Sequence, residues 1–87
     1  MNQSIIFTDQ VEWLEADKVV SFSAQQNGQL IECRVAINYL EQLSQLKVEQ
    51  KDAVLKVFAE YRFDLEDLAE ELIEAEEFNS VGQIVIS

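Results

Sequence analysis

The residues with the most chemical potential in this chain are carboxylates. Glu60, Asp67, Glu70, Glu71, Glu74 and Glu77 fall together on one side of a continuous helical wheel, and no Lys or Arg lies between Asp64 and the C-terminus to pair with them. Carboxylates so placed suit three chemistries: acid–base catalysis, capture of a divalent cation, and docking of a basic partner. Acid–base work needs two groups whose surroundings push their pKa values apart, and an exposed helix face provides no such difference. Glu66 with Glu70, or Glu70 with Glu74, has the i, i+4 spacing of a cation pair. The sequence nevertheless lacks an EF-hand loop, histidine, and the turn glycine that a calcium loop needs, so no metal site is predicted. Docking is the chemistry with support. On a continuous helix Phe63 falls in the middle of the acidic face, and an exposed aromatic ringed by carboxylates has the make-up of an interface hot spot. The candidate partner-binding residues are therefore Glu60, Phe63, Asp67, Glu70, Glu71 and Glu74. The plainer alternative is a solvated face that maintains solubility.

Other reactive side chains are few. Without histidine, the usual general base and the usual orienting partner for a Ser or Cys nucleophile are missing. Cys33 sits between Glu32 and Arg34 in an alternating run that turns it inward, which predicts a small inert hydrophobe. Arg62 stands one turn after Phe58 and one before Glu66. A structural ion pair with Glu66 or with a sheet carboxylate is its default role, and an anion site is the alternative. Trp13 also has two roles open to it: a ligand platform, or a lid over the end of the core with its indole N–H bonded to backbone or water. No Gly-rich phosphate loop or dinucleotide fingerprint is present, so no cofactor is expected.

Composition narrows the partners. The 87 residues carry a net charge of −11, which argues against nucleic acid and anionic membranes, both polyanions that require clustered Lys or Arg. A basic protein is the complementary choice. At 48% hydrophobic residues with five Phe, the chain has the content of a folded domain. Proline is absent and glycine occurs only at Gly28 and Gly82, so nothing divides residues 1–87, and a single domain is expected. A lone cysteine excludes an internal disulfide. The opening MNQSIIFTDQ lacks the basic start and long apolar core of a signal peptide, and no run approaches a membrane span. A soluble, cytoplasmic protein is the expectation.

The elements that must position these residues begin with a hairpin. Asn27-Gly28 lies between two alternating apolar runs, and a type I′ turn there needs φ > 0 at both central residues. A two-residue loop fixes the register: Gln26 faces Gln29, Ala24 faces Ile31, Phe22 faces Cys33 and Val20 faces Val35. This face is apolar, whereas the other pairs Gln25 with Leu30, Ser23 with Glu32 and Ser21 with Arg34. Ser4 to Thr8 reads as a short first strand, and Asp9 to Asp17 as a turn-rich connection bearing Trp13. A short helix is expected from about Asn38 to Leu46, with Glu41 as reciprocal capping partner of Asn38. Val54, Phe58, Tyr61, Leu65, Leu68 and Leu72 then keep one unbroken helical phase, which predicts one helix from about Gln50 to Glu77. Phe63 before Asp64, with Leu68 beyond, competes as a hydrophobic staple that would start a new helix at Leu65, and a kink near Phe63 would reconcile the two. After Gly82, which marks a turn or bulge, Ile84 and Ile86 define a last short strand. The fold class is α+β: a small antiparallel or mixed sheet in the order β-β-β-α-α-β, with a short and a long helix on one face.

This layout resembles a family of short bacterial proteins catalogued as domain of unknown function 1488. The resemblance rests on the strand ending in Ile6-Phe7, Trp13 soon after, the strand pair through Val20-Ser21-Phe22 and Ile31-Glu32-Cys33-Arg34-Val35, the helix with Phe58, Arg62, Leu65 and Ala69, and the terminal Ile84-Val85-Ile86. It implies a compact α+β domain and carries over no catalytic or binding residue, because the family has no assigned activity. The function expected from the residues is a non-enzymatic interaction module whose acidic helix meets a basic partner. The rival is a structural protein that self-associates as a homodimer through a sheet edge.

Overall fold

The computed structural model describes residues 4–87, and the hairpin is its centre. Asn27 and Gly28 adopt φ of 53° and 81°, and they join β2 (Val19–Gln26) to β3 (Gln29–Ala36). The register is Gln26↔Gln29, Ala24↔Ile31, Phe22↔Cys33 and Val20↔Val35, as the two-residue loop requires. Val20, Phe22, Ala24, Ile31, Cys33 and Val35 are all buried.

The first strand is longer than its apolar run. β1 spans Ile5–Leu14 and pairs antiparallel with β2, so Trp13 lies in the strand opposite Val20 and not in a turn-rich connection. Between Phe7↔Ala24 and Val11↔Phe22 the register slips, forming a bulge over the polar Thr8-Asp9-Gln10. Ile5, Phe7, Val11 and Trp13 keep a period-two pattern across this interruption and pack into or against the core. The acidic residues between them concealed that pattern.

α1 (Ile37–Ser44) begins directly at the end of β3, where the Ile37 N–H donates to the Lys18 carbonyl at 3.0 Å. The strand ladder thereby satisfies a donor that a cap would otherwise serve. The expected Asn38–Glu41 capping pair is absent: Ala36 is the N-cap, no side chain caps the helix, and the Glu41 carboxylate accepts instead from the Val48 N–H at 3.1 Å.

The long helix is two helices. α2 (Lys51–Glu60) and α3 (Arg62–Glu74) are separated by Tyr61 alone, at φ −107°, ψ 14°. The Tyr61 N–H is shared between the Val57 and Phe58 carbonyls at 3.2 Å each, and the Leu65 N–H resumes the ladder on the Tyr61 carbonyl at 3.0 Å. The break is therefore earlier than Asp64. Asp64 sits inside the first turn of α3, and Phe63 is exposed rather than stapled. The apolar phase crosses the break intact, with Val54, Val57 and Phe58 buried before it and Leu65, Ala69 and Ile73 after. An unbroken helix over this stretch would run about 40 Å at ~1.5 Å per residue, longer than the molecule's largest extent of 35 Å. A bend keeps both segments on the sheet.

After α3, Asn79 organises the return. Its Oδ1 accepts from the Val81 and Gln83 N–H groups at 3.1 and 2.8 Å, and Gly82 takes a φ of 82°. β4 (Ile84–Ile86) then lies parallel to β3, pairing Cys33↔Ile84 and Val35↔Ile86. The described residues form an α+β fold in the order β-β-β-α-α-α-β, with a four-stranded mixed sheet ordered β1-β2-β3-β4. The sheet-to-helix contact centres on Phe22, whose ring lies 5.2 Å from that of Phe58 and 6.1 Å from that of Phe7. Among the described residues no helix is long and apolar enough to cross a membrane.

Candidate partner-binding face

α3 has one face committed to the core through Leu65, Ala69 and Ile73, which leaves the opposite face to solvent. On that face Phe63, Asp67, Glu71 and Glu74 follow one another at steps of four, four and three, so they form one exposed spine. Phe63 is 81% exposed and has exposed Asp64 as its neighbour. Glu60 is exposed at the last position of α2, across the Tyr61 break. Glu70 is half-buried at the margin of the face. The helix thus brings Phe63, Asp67, Glu71 and Glu74 together, with Glu60 and Glu70 at the edge.

Among the described residues none of these carboxylates has a cationic partner. Among the described residues the ion pairs are Arg34–Asp17 at 3.5 Å, Arg34–Glu32 at 2.8 Å and Arg62–Glu66 at 2.7 Å. Arg62 makes three contacts: Nε donates to Glu66, Nη2 donates to the Thr8 carbonyl at 2.5 Å, and the guanidinium lies 5.8 Å from the centre of the Phe58 ring. The structural ion pair expected of Arg62 with Glu66 is thus present.

Cys33 is fully buried. Burial, aided by the negative charge of Glu32, pushes its thiol up to about 12, far from the thiolate a nucleophile needs. Trp13 is half-buried against the core, in the position of a lid. Among the described residues no three His, Cys, Asp or Glu side chains converge as a metal-holding group.

Sequence reasoning missed a polar network on the outer face of the sheet. Glu32 accepts from Ser21 Oγ at 3.0 Å, Arg34 Nε at 2.8 Å and Gln83 Nε2 at 3.1 Å. The Arg34 guanidinium, with Ser21 and Gln83, holds the Glu32 carboxyl below its usual range against the opposing effect of burial. The cross-strand pairs Ser23/Glu32 and Ser21/Arg34 were its visible signal, but Gln83 joins through β4 and could not be read from the hairpin. Also missed was a groove of about 670 Å³ between the hairpin end and the end of α3, where Leu30 and Phe78 are exposed.

A family model described as "Protein of unknown function (DUF1488)" matches residues 5–86. The chain is 33% identical over 84 residues to the uncharacterized protein YrdB of Escherichia coli (strain K12), covering 97% of this chain and 96% of that protein. Against YrdB of Shigella flexneri the identity is 32% over the same shares of both chains. A crystal structure of a DUF1488-family protein of unknown function from Shewanella loihica PV-4 matches with a TM-score of 0.94 and 42% identity, covering 99% of this chain and 94% of that one.

Proposed function

Because the chain belongs to the DUF1488 family, whose description names no activity, we propose its role from its own surface: a non-enzymatic interaction module whose α3 face docks a basic protein. One observation carries this reading. Phe63, 81% exposed, stands on a helix face whose carboxylates form no ion pair among the described residues. A large exposed aromatic supplies the apolar anchor of an interface, and the unpaired charges around it supply steering and selectivity for a basic surface. The net charge of −11 adds long-range attraction of the same sign and opposes nucleic acid and anionic membranes as partners. The absence of histidine and the suppressed ionisation of Cys33 weigh against catalysis. A reducing cytoplasm is the compartment in which a lone thiol is ordinary.

Self-association through the β1 edge has less support. β1, an edge strand, carries the Thr8–Gln10 bulge, and Arg62 occupies the Thr8 carbonyl. Bulges and edge charges are the usual obstacles to strand pairing between copies. The test is affinity capture from a native-source lysate at low salt, with an Asp67→Lys/Glu71→Lys bait and a Phe63→Ala bait in parallel. A discrete basic protein retained by the natural chain, and lost by both variants and by salt, supports the module. Identical proteins on all three baits return the face to a solvated surface.

A further inference from the structure

The sheet has a second opening for a partner, where its fourth strand stops short. β4 pairs only with Cys33, Arg34 and Val35 of β3, so the edge of β3 from Gln29 to Ile31 has no described strand against it. Gln26 and Gln29 close the two-residue turn and face each other across β2 and β3. By the alternation of an antiparallel ladder, the N–H and C=O of Leu30 then point away from β2, toward the open edge. Beside that edge lies the groove of about 670 Å³, lined by Gln29, Leu30 and Ile31 on one side and by Glu74, Glu76 and Phe78 on the other.

Its chemistry is mixed in an informative way. Leu30 is 64% exposed and Phe78 39% exposed, so two large apolar side chains line an open space. Glu74 and Glu76 sit at the C-terminal end of α3, the negative end of its dipole, and the last turn holds no basic residue. The groove therefore offers an unpaired backbone edge, an apolar wall and an acidic wall. Of these, the backbone edge selects an extended peptide, and the acidic wall selects one that is basic.

We infer that this groove takes an extended basic segment of the partner, laid along the free edge of β3, with an apolar side chain against Leu30 and Phe78 and Lys or Arg side chains toward Glu74 and Glu76. The inference rests on the basic partner proposed above and adds a second contact, which adjoins the Phe63 face at Glu74. A second copy of this chain is the poorer occupant, since each copy carries −11 and only six basic residues.

The probe is a capped hexapeptide of alternating Lys and Val, titrated into the full-length isotope-labelled chain at low salt and followed by amide and methyl NMR shifts. Saturable shifts at Gln29, Leu30, Ile31 and Phe78 are expected. Binding should weaken about tenfold in Glu74→Gln/Glu76→Gly and in a peptide N-methylated at its central residues, and by less than about twofold in Phe63→Ala, which leaves every charge in place. Glu76 holds a φ of 57°, where glycine is at ease, so the Glu76→Gly change should raise Tm while it lowers affinity. Loss of binding through unfolding is thereby excluded. Shifts confined to Phe63, Asp67 and Glu71 overturn the groove and leave the α3 docking face standing. Absence of saturable shifts, equal binding of an alternating Glu and Val peptide, or concentration-dependent shifts at Leu30 without peptide likewise overturn it.

Discussion

Arg62 Nη2 donates to the carbonyl oxygen of Thr8 at 2.5 Å, joining the first turn of α3 to the bulge of β1 across 54 positions of sequence. The same guanidinium holds Glu66 at 2.7 Å and lies over Phe58. One side chain thus ties the helix break, the strand irregularity and the aromatic core together. Arg62→Met should destabilise the fold by about 2 kcal/mol, the range for hydrogen bonds to charged groups. Arg62→Lys should recover less than half, because an ammonium lacks the planar fork that serves two acceptors. Urea unfolding at neutral pH measures both, and a loss below about 0.5 kcal/mol for the Met variant would assign Arg62 a surface role.

Phe22 is fully buried between the rings of Phe7 and Phe58, at the point where β2 meets α2. Phe22→Ala removes the apolar transfer free energy and leaves a cavity that its neighbours in the sheet cannot close. A destabilisation of about 3 kcal/mol or more is expected. A change below about 1 kcal/mol in the same unfolding experiment would mean that the sheet and helices are not packed through this ring.

Cys33 makes a pH prediction with a definite sign. Its folded thiol is raised to about 12 from an ordinary value of 9.0, chiefly by burial and secondarily by Glu32. The fold therefore favours the neutral form, and this contribution is complete below about pH 9. It is lost as pH rises from there toward the folded value. Comparing the natural chain with Cys33→Ala isolates it from the other groups that titrate at high pH. The stability difference between the two should be constant near neutrality and shift against the natural chain above about pH 9. Iodoacetamide should label Cys33 only on unfolding, and rapid labelling of the native protein would contradict its burial.

The hairpin was legible because turn chemistry and side-chain alternation agreed on one register. β1 was legible only in part: Asp9 and Glu12 mimic turn residues, and a bulge is set by what the partner strand and Arg62 accept, not by local preference. The unbroken phase from Val54 to Ile73 correctly placed α3's buried face, and with it the exposure of Phe63. The break at Tyr61 was legible only as a kink near Phe63, suggested by the Phe63-Asp64-Leu68 staple pattern and misplaced by two residues, since no Pro or Gly marks it and the phase runs through it. It answers to the length of the sheet below. The groove was invisible because it depends on β4 starting only at the level of Cys33, which the alternation within Ile84–Ile86 does not disclose.

The acidic face itself predicts a trade between stability and recognition. Glu71 lies one turn from Asp67 and from Glu74, and among the described residues no cation pairs with any of the three. Like charges at these spacings repel by a few tenths of a kcal/mol per pair, and carboxylates in the second half of a helix also oppose its dipole. Glu71→Lys turns both repulsions into attractions and places a cation nearer the negative end. It should therefore stabilise the fold by about 1 kcal/mol at about 10 mM salt, where the Debye length is about 30 Å. At about 500 mM NaCl most of that gain should vanish, while the natural chain itself becomes more stable as its own repulsion is screened. Thermal unfolding of both proteins at the two salt concentrations gives the comparison. A gain independent of salt would point to helix propensity instead of charge. No gain at low salt would mean that these carboxylates do not feel one another, and that the face carries no stored repulsion for a basic partner to relieve.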